Sequence, residues 1–152
     1  MSDGLRLDEQ LCFALYAASR AVTQAYQPFL APLNLTYPQY LVMLVLWEKD
    51  GVTVKAIGEQ LQLDSGTLTP LLKRLEAAGY LHRRRSSADE RQVLIQLSQS
   101  GQALRTQALA MRQQMQCLFA GPLQQAQGLR ETLQGLVQQL RRNDVADSPD
   151  GD

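Results

Sequence analysis

Apolar residues recur at helical spacing along most of the chain, and the face they form changes from segment to segment. From Leu7 to Tyr26, a stripe of Leu11, Leu15, Ala18, Val22 and Ala25 follows Asp8 and Glu9, acids that suit a helix N-terminus. Ala14, Ala17, Ala18, Ser19 and Ala21 are small, so a helix of this chain or of a partner subunit can approach closely. Pro28 and Pro32 are expected to break the pattern. Thr36 with Pro38 then opens a helix through Leu41, Leu44, Val45 and Trp47 to Asp50-Gly51. It is apolar on nearly all sides, as a core helix would be.

Next comes a pair of shorter helices. Thr53 caps the first, with Val54, Ile57 and Leu61 on one face. After Gln62-Leu63-Asp64, the second places Leu68, Leu71, Leu72 and Leu75 together, and Gly79 is positioned to end it in the left-handed conformation. Pro70 implies either a start nearer Thr67 or a kink relieved at Gly66. Tyr80 to Arg85 and Arg91 to Leu97 read as strands around a tip at Ser86 to Glu90, with Val93, Ile95 and Leu97 alternating against Gln92, Leu94 and Gln96.

Ser98 can cap a long helix bearing Leu104, Ala108, Met111, Met115 and Leu118, stopped by Gly121-Pro122. A last helix carries Leu123, Ala126, Leu129, Leu133, Leu136 and Leu140, and residues 143–152 read as a disordered acidic tail. The expected fold is mainly α with a small β-wing. It is one domain over 1–152, with a winged helix-turn-helix at 53–97 between long dimerisation helices at 7–36 and 98–142. The terminal helices carry more apolar surface than so small a domain needs, which points to a homodimer; an intramolecular helical hairpin is the alternative.

Composition changes this picture in two places. The 152 residues are 45% hydrophobic, which excludes general disorder, and their net charge of zero at first argues against a nucleic-acid partner. The charge is uneven, however. From Lys73 to Arg91 six cations (Lys73, Arg74, Arg83, Arg84, Arg85, Arg91) face three acids, while Asp144, Asp147, Asp150 and Asp152 lie in the tail. Met1 to Asp8 is polar, and no apolar run reaches bilayer-crossing length, so the expected location is cytoplasmic, with no membrane partner. Two cysteines in a reducing compartment are free thiols or a switch. With a single histidine, His82, they offer no metal cluster, and neither metal nor cofactor is expected.

Opposite the leucines of the second short helix lie Ser65, Thr67, Thr69, Lys73 and Arg74, the hydroxyl-and-cation face of a helix that enters the major groove of double-stranded DNA. Arg83, Arg84 and Arg85 stand on one side of the hairpin tip and Arg91 on the other, with Asp89 placed to steer Arg91. That suits contact with phosphates or the minor groove, although a merely solvated hairpin would carry the same charges. Cys12 lies in the first turns of the first helix, and Tyr16, four residues on, shares its face. Spacing alone leaves both a buried small hydrophobe and a reactive thiolate open.

With these elements in place, the chain from about Leu7 to Arg142 resembles the MarR family of dimeric winged-helix regulators. It is most similar to the organic hydroperoxide resistance regulators (OhrR). The resemblance is carried by Gln10-Leu11-Cys12-Phe13-Ala14-Leu15-Tyr16, by Leu35-Thr36-Tyr37-Pro38-Gln39-Tyr40, and by the stretch from Leu63 to Leu72. It implies a repressor of a palindromic operator, with organic hydroperoxide as effector and Cys12 as the sensing thiolate. It also implies that Tyr26 and Tyr37 reach the sensor from the partner subunit, and that Cys117 is the resolving thiol of the two-cysteine branch. Competing readings are a repressor released by a small aromatic ligand, a thiol peroxidase that turns over, and a winged helix used for protein contact.

Overall fold

The computed structural model describes residues 3–119 and 123–146. They belong to two compact units, Met1–Met115 and Gln116–Asp152. Leu7–Glu9 form a 3₁₀ turn, and α1 follows at Leu11–Leu30. Asp8 and Glu9 therefore precede the helix, and Cys12 lies in its first turn. The expected break at Pro28 does not occur. The helix passes through it to Leu30, because a proline this near the C-terminal end removes only one bond and the last turn is held by Leu30, 1% exposed, and Phe29 against the core. Pro32 sits in a second 3₁₀ turn, Ala31–Leu33, which ends on Asn34 at φ 56°.

Helix α2 (Tyr37–Glu48) opens with a capping box. Gln39 N–H donates to Thr36 Oγ1 at 3.4 Å, and Thr36 N–H donates to Gln39 Oε1 at 3.0 Å. Val42, Met43 and Leu46 make it the core helix that its all-round apolar pattern predicts. Strand β1 (Val52–Thr53) was not expected, since two residues are too few to show an alternation. Helix α3 (Val54–Leu61) begins with Thr53 Oγ1 accepting Ala56 N–H, and α4 (Ser65–Ala77) with Asp64 accepting Thr67 N–H at 2.7 Å. Gly58 lets the turn between them close, because a Cβ there would lie 2.9 Å from the Leu63 carbonyl oxygen. Of the two alternatives at Pro70, a start nearer Thr67 is not taken: α4 begins at Ser65 and includes Pro70.

Helix α4 ends in a Schellman motif. Tyr80 N–H donates to Leu75 O, Gly79 N–H to Glu76 O, and Gly79 has φ +83°. Strands β2 (Leu81–Arg85) and β3 (Val93–Leu97) form the wing, and the antiparallel sheet has the order β1-β3-β2 with Val52 opposite Ile95 and Arg83 opposite Ile95 on the other edge. Helix α5 (Gln99–Gln116) starts with Ser98 Oγ accepting Gly101 N–H, and Trp47 Nε1 donates to Gly101 O, fastening α2 to α5. Leu104, Ala108, Met111 and Met115 are buried as the spacing predicts, but α5 stops before Leu118, which is 57% exposed. In the second unit α6 (Leu123–Ala146) continues past Asn143, so the first four residues of the expected disordered tail are helical. Residues 147–152 and the Gly121-Pro122 stop lie outside the described residues.

Candidate functional site

The four leucines that predict the inward face of α4 are 8% exposed or less. At about 100° per residue, the line facing directly away from them runs through Gly66, Pro70, Lys73 and Ala77. Ser65, Thr67, Lys73 and Arg74 are exposed, and Thr69 is half-buried. The five expected DNA-contact residues therefore do not form one ridge: Ser65 and Thr69 fall on one flank of that line, Thr67 and Arg74 on the other. Arg74 leans toward the start of α2, sharing an open depression with Asn34, Thr36 and Gln39. Gly66 and Pro70 leave the first turns of that line without a long side chain, Lys73 stands on it further along, and the hydroxyl groups and Arg74 lie on its flanks.

In the wing, Arg83 is tied to the recognition helix: its backbone N–H donates to Glu76 Oε2 at 2.8 Å and its guanidinium pairs with Glu76 Oε1 at 3.2 Å, joining β2 to α4. These donors, the backbone N–H foremost, hold the Glu76 carboxyl below the usual carboxylate range. Arg84 stays exposed, and Arg85 donates to Glu90 O across the tip. The tip is organised by Ser86 Oγ, which accepts from Ala88 and Asp89 N–H, and by Asp89, which accepts both Arg91 N–H at 3.0 Å and Arg91 Nε at 3.3 Å. Asp89 thus orients the root of an arginine whose side chain is 92% exposed.

On the sensor side, Cys12 is exposed. Tyr16, 59% exposed, has the Arg20 guanidinium 5.5 Å from its ring centre. Tyr26 and Tyr37 stack at 4.9 Å, and Tyr40 joins them at 5.8 and 6.3 Å. Burial raises all three phenols above their ordinary value of 10.0, so they remain protonated donors at neutral pH. Tyr40 was not singled out from sequence, although its place three residues after Tyr37 puts both on one helix face. Tyr26 is fourteen residues from Cys12 on the same helix, about 21 Å at 1.5 Å per residue, so this cluster cannot reach its own Cys12. Beside the cluster, Tyr40, Trp47 and Glu48 of α2 and Arg105 and Arg112 of α5 line an open cleft of about 300 Å³. Among the described residues no group of three or more His, Cys, Asp or Glu could hold a metal.

A capped recognition helix, its supporting pair and an arginine-tipped wing define a DNA-binding transcriptional regulator of the winged-helix class. Residues 24–107 match the family model of the transcriptional regulators SarA/Rot. The chain is 56% identical over 107 residues to the organic hydroperoxide resistance transcriptional regulator of Bacillus subtilis (strain 168), covering 70% of this chain and 73% of that protein. It is also similar to AbfR of Staphylococcus epidermidis. With the reduced form bound to DNA it shares 38% identity and a TM-score of 0.75 over 91% of this chain and 96% of that one. With the disulfide form it shares 40% identity and a TM-score of 0.61 over 89% and 95%. The chain belongs to the MarR family of transcriptional regulators, among those of the organic hydroperoxide resistance type.

Proposed function

We propose that this regulator is a homodimeric repressor that senses organic hydroperoxides through Cys12 and leaves its operator when that thiol is oxidised. The observation that carries the reading is the separation of Cys12 from the tyrosine cluster along α1. A second copy with its α1 running the other way would bring one protomer's sulfur to the other's phenols. The surface supports this: Leu11, Phe13 and Tyr16 on α1 are 65%, 43% and 59% exposed, and Leu30 is the only buried residue of that helix. In the second unit Leu129 and Leu140 are 61% and 56% exposed. Apolar surface of this kind is what a partner subunit covers.

The chemistry follows from the residue types. The Cys12 thiolate attacks the peroxide O–O bond, forming an S–O bond and expelling an alkoxide that takes a proton to leave as alcohol. Neutral phenols hydrogen-bond the anionic sulfur without introducing a competing base. The sulfenic acid then condenses with the thiol of Cys117 of the partner subunit, forming the S–S bond and releasing water. Bridging needs Cα atoms within about 7 Å, and any interface shift that achieves this alters the roughly 34 Å spacing at which two recognition helices fit successive major grooves.

The test measures operator affinity before and after organic hydroperoxide, with Cys12–Cys117 linkage read on a non-reducing gel. Wild type should lose DNA and gain an intersubunit crosslink, whereas Cys12→Ser should bind DNA and ignore the oxidant. A Cys12→Ser protein that responds like wild type sinks the proposal. The aromatic cleft with Arg105 and Arg112 favours a second reading, release by a small anionic aromatic ligand. In that case an aromatic acid would release wild type and Cys12→Ser alike.

A further inference from the structure

Tyr80 stands where three parts of the first unit meet. Its backbone N–H closes the C-terminal end of α4 on Leu75 O, and its carbonyl accepts Ser98 N–H at the end of the wing. That carbonyl also abuts the start of α5 closely enough that a Cβ on Gly101 would collide with it at 2.0 Å. Its phenol leaves this junction in another direction, and Tyr80 OH donates to Leu33 O at 2.7 Å, across 47 residues of sequence. Leu33 is 4% exposed and ends the 3₁₀ turn between α1 and α2. That turn is itself stiff: Asn34 N–H returns to Ala31 O and Leu35 N–H to Leu30 O.

We infer that Tyr80 is the positioning residue through which the α1–α2 corner sets the pose of the recognition helix and wing. The backbone of this one residue is fixed to the DNA-reading elements and its hydroxyl to the corner where α1, bearing Cys12, passes into α2, bearing Tyr37 and Tyr40. Neither end can turn relative to the other without moving Tyr80 or breaking its hydrogen bond. A phenol suits the task because its ring spans the gap as a rigid strut with few rotatable bonds, and burial keeps the acceptor from exchanging readily with water.

The inference rests on DNA binding alone, not on oxidation, and its test uses reduced protein without oxidant. Tyr80→Phe keeps the ring and removes one donor. Operator affinity should fall by roughly threefold to tenfold, the size of one such bond. Amide hydrogen exchange separates positioning from local structure. In wild type, operator binding should slow exchange in both α4 and residues 30–36; in Tyr80→Phe it should slow α4 only. Unchanged affinity overturns the inference. So does weakened binding with the same slowing at residues 30–36, which would make the bond a purely local support. Either result leaves the hydroperoxide proposal standing, and a failed peroxide response leaves this one standing.

Discussion

The winged-helix region and the long helices α1 and α6 meet their physical needs in opposite ways. Between Thr36 and Ser98 the apolar faces are buried against one another, and Thr36, Thr53, Asp64 and Ser98 cap the helices that follow them. Along α1 and α6 apolar side chains such as Leu11, Phe13, Leu129 and Leu140 stay in solvent, and Cys12 at the start of α1 is a helix length away from Tyr26 and the α2 phenols it stacks on. A region that satisfies itself within one chain can present a rigid surface to DNA. A region that does not is completed by something else, and the proposed sensing chemistry lies there.

The largest effect should come from testing that difference directly. Leu72, on the inward face of the recognition helix, is 1% exposed, and truncation to Ala removes buried carbon and leaves a cavity, costing about 2–5 kcal/mol of unfolding free energy. Leu129→Ala, at a 61% exposed site, should cost less than about 0.5 kcal/mol in the same urea titration. Its effect should appear instead as weaker self-association in sedimentation. If the two substitutions destabilise equally and neither alters association, the contrast between regions is wrong.

The self-satisfied region was also the legible one. The burial of Leu68, Leu71, Leu72 and Leu75, the positive φ of Gly79 and the Asp89–Arg91 contact all follow from local rules, where period and capping chemistry act within a few residues. What escaped depends on distant segments. Strand β1 exists because β3 offers it an edge, Pro28 is tolerated because the core holds Phe29 and Leu30, and Tyr80 finds Leu33 only once α4 and the wing are folded. The grouping of Tyr26 with Tyr37 was implied by family resemblance, not by spacing, because it depends on how α1 and α2 cross. Arg83 and Arg91 show the limit within the wing itself, since composition alone cannot tell the arginine paired with Glu76 on α4 from the one whose side chain extends into solvent.

Those two arginines give a second, smaller contrast. Arg91→Ala should weaken operator binding by roughly tenfold and, if it meets a phosphate, lower the slope of log affinity against log salt by about one, with the unfolding midpoint unchanged. Arg83→Ala should act the other way round, costing less than about 1 kcal/mol of stability, as a partly exposed ion pair does, with little change in the salt slope. Equal salt slopes for both variants would mean that Arg83 faces DNA after all.

The smallest effect concerns acid. Glu76 has its carboxyl lowered by Arg83, so its stabilising contribution is complete above its unfolded value of 4.5 and is lost as pH falls through the depressed folded value. Glu76→Gln removes that contribution at every pH. Wild type should therefore be the more stable protein at neutral pH, and the two unfolding midpoints should converge on acidification below about pH 4.5. Asp64, also held below its ordinary value by the Thr67 amide it caps, is present in both proteins, so its own titration does not close the gap between them. A gap that stays constant from neutral pH to about pH 3 would assign Glu76 a packing role and leave the junction between wing and recognition helix without its ionic tie.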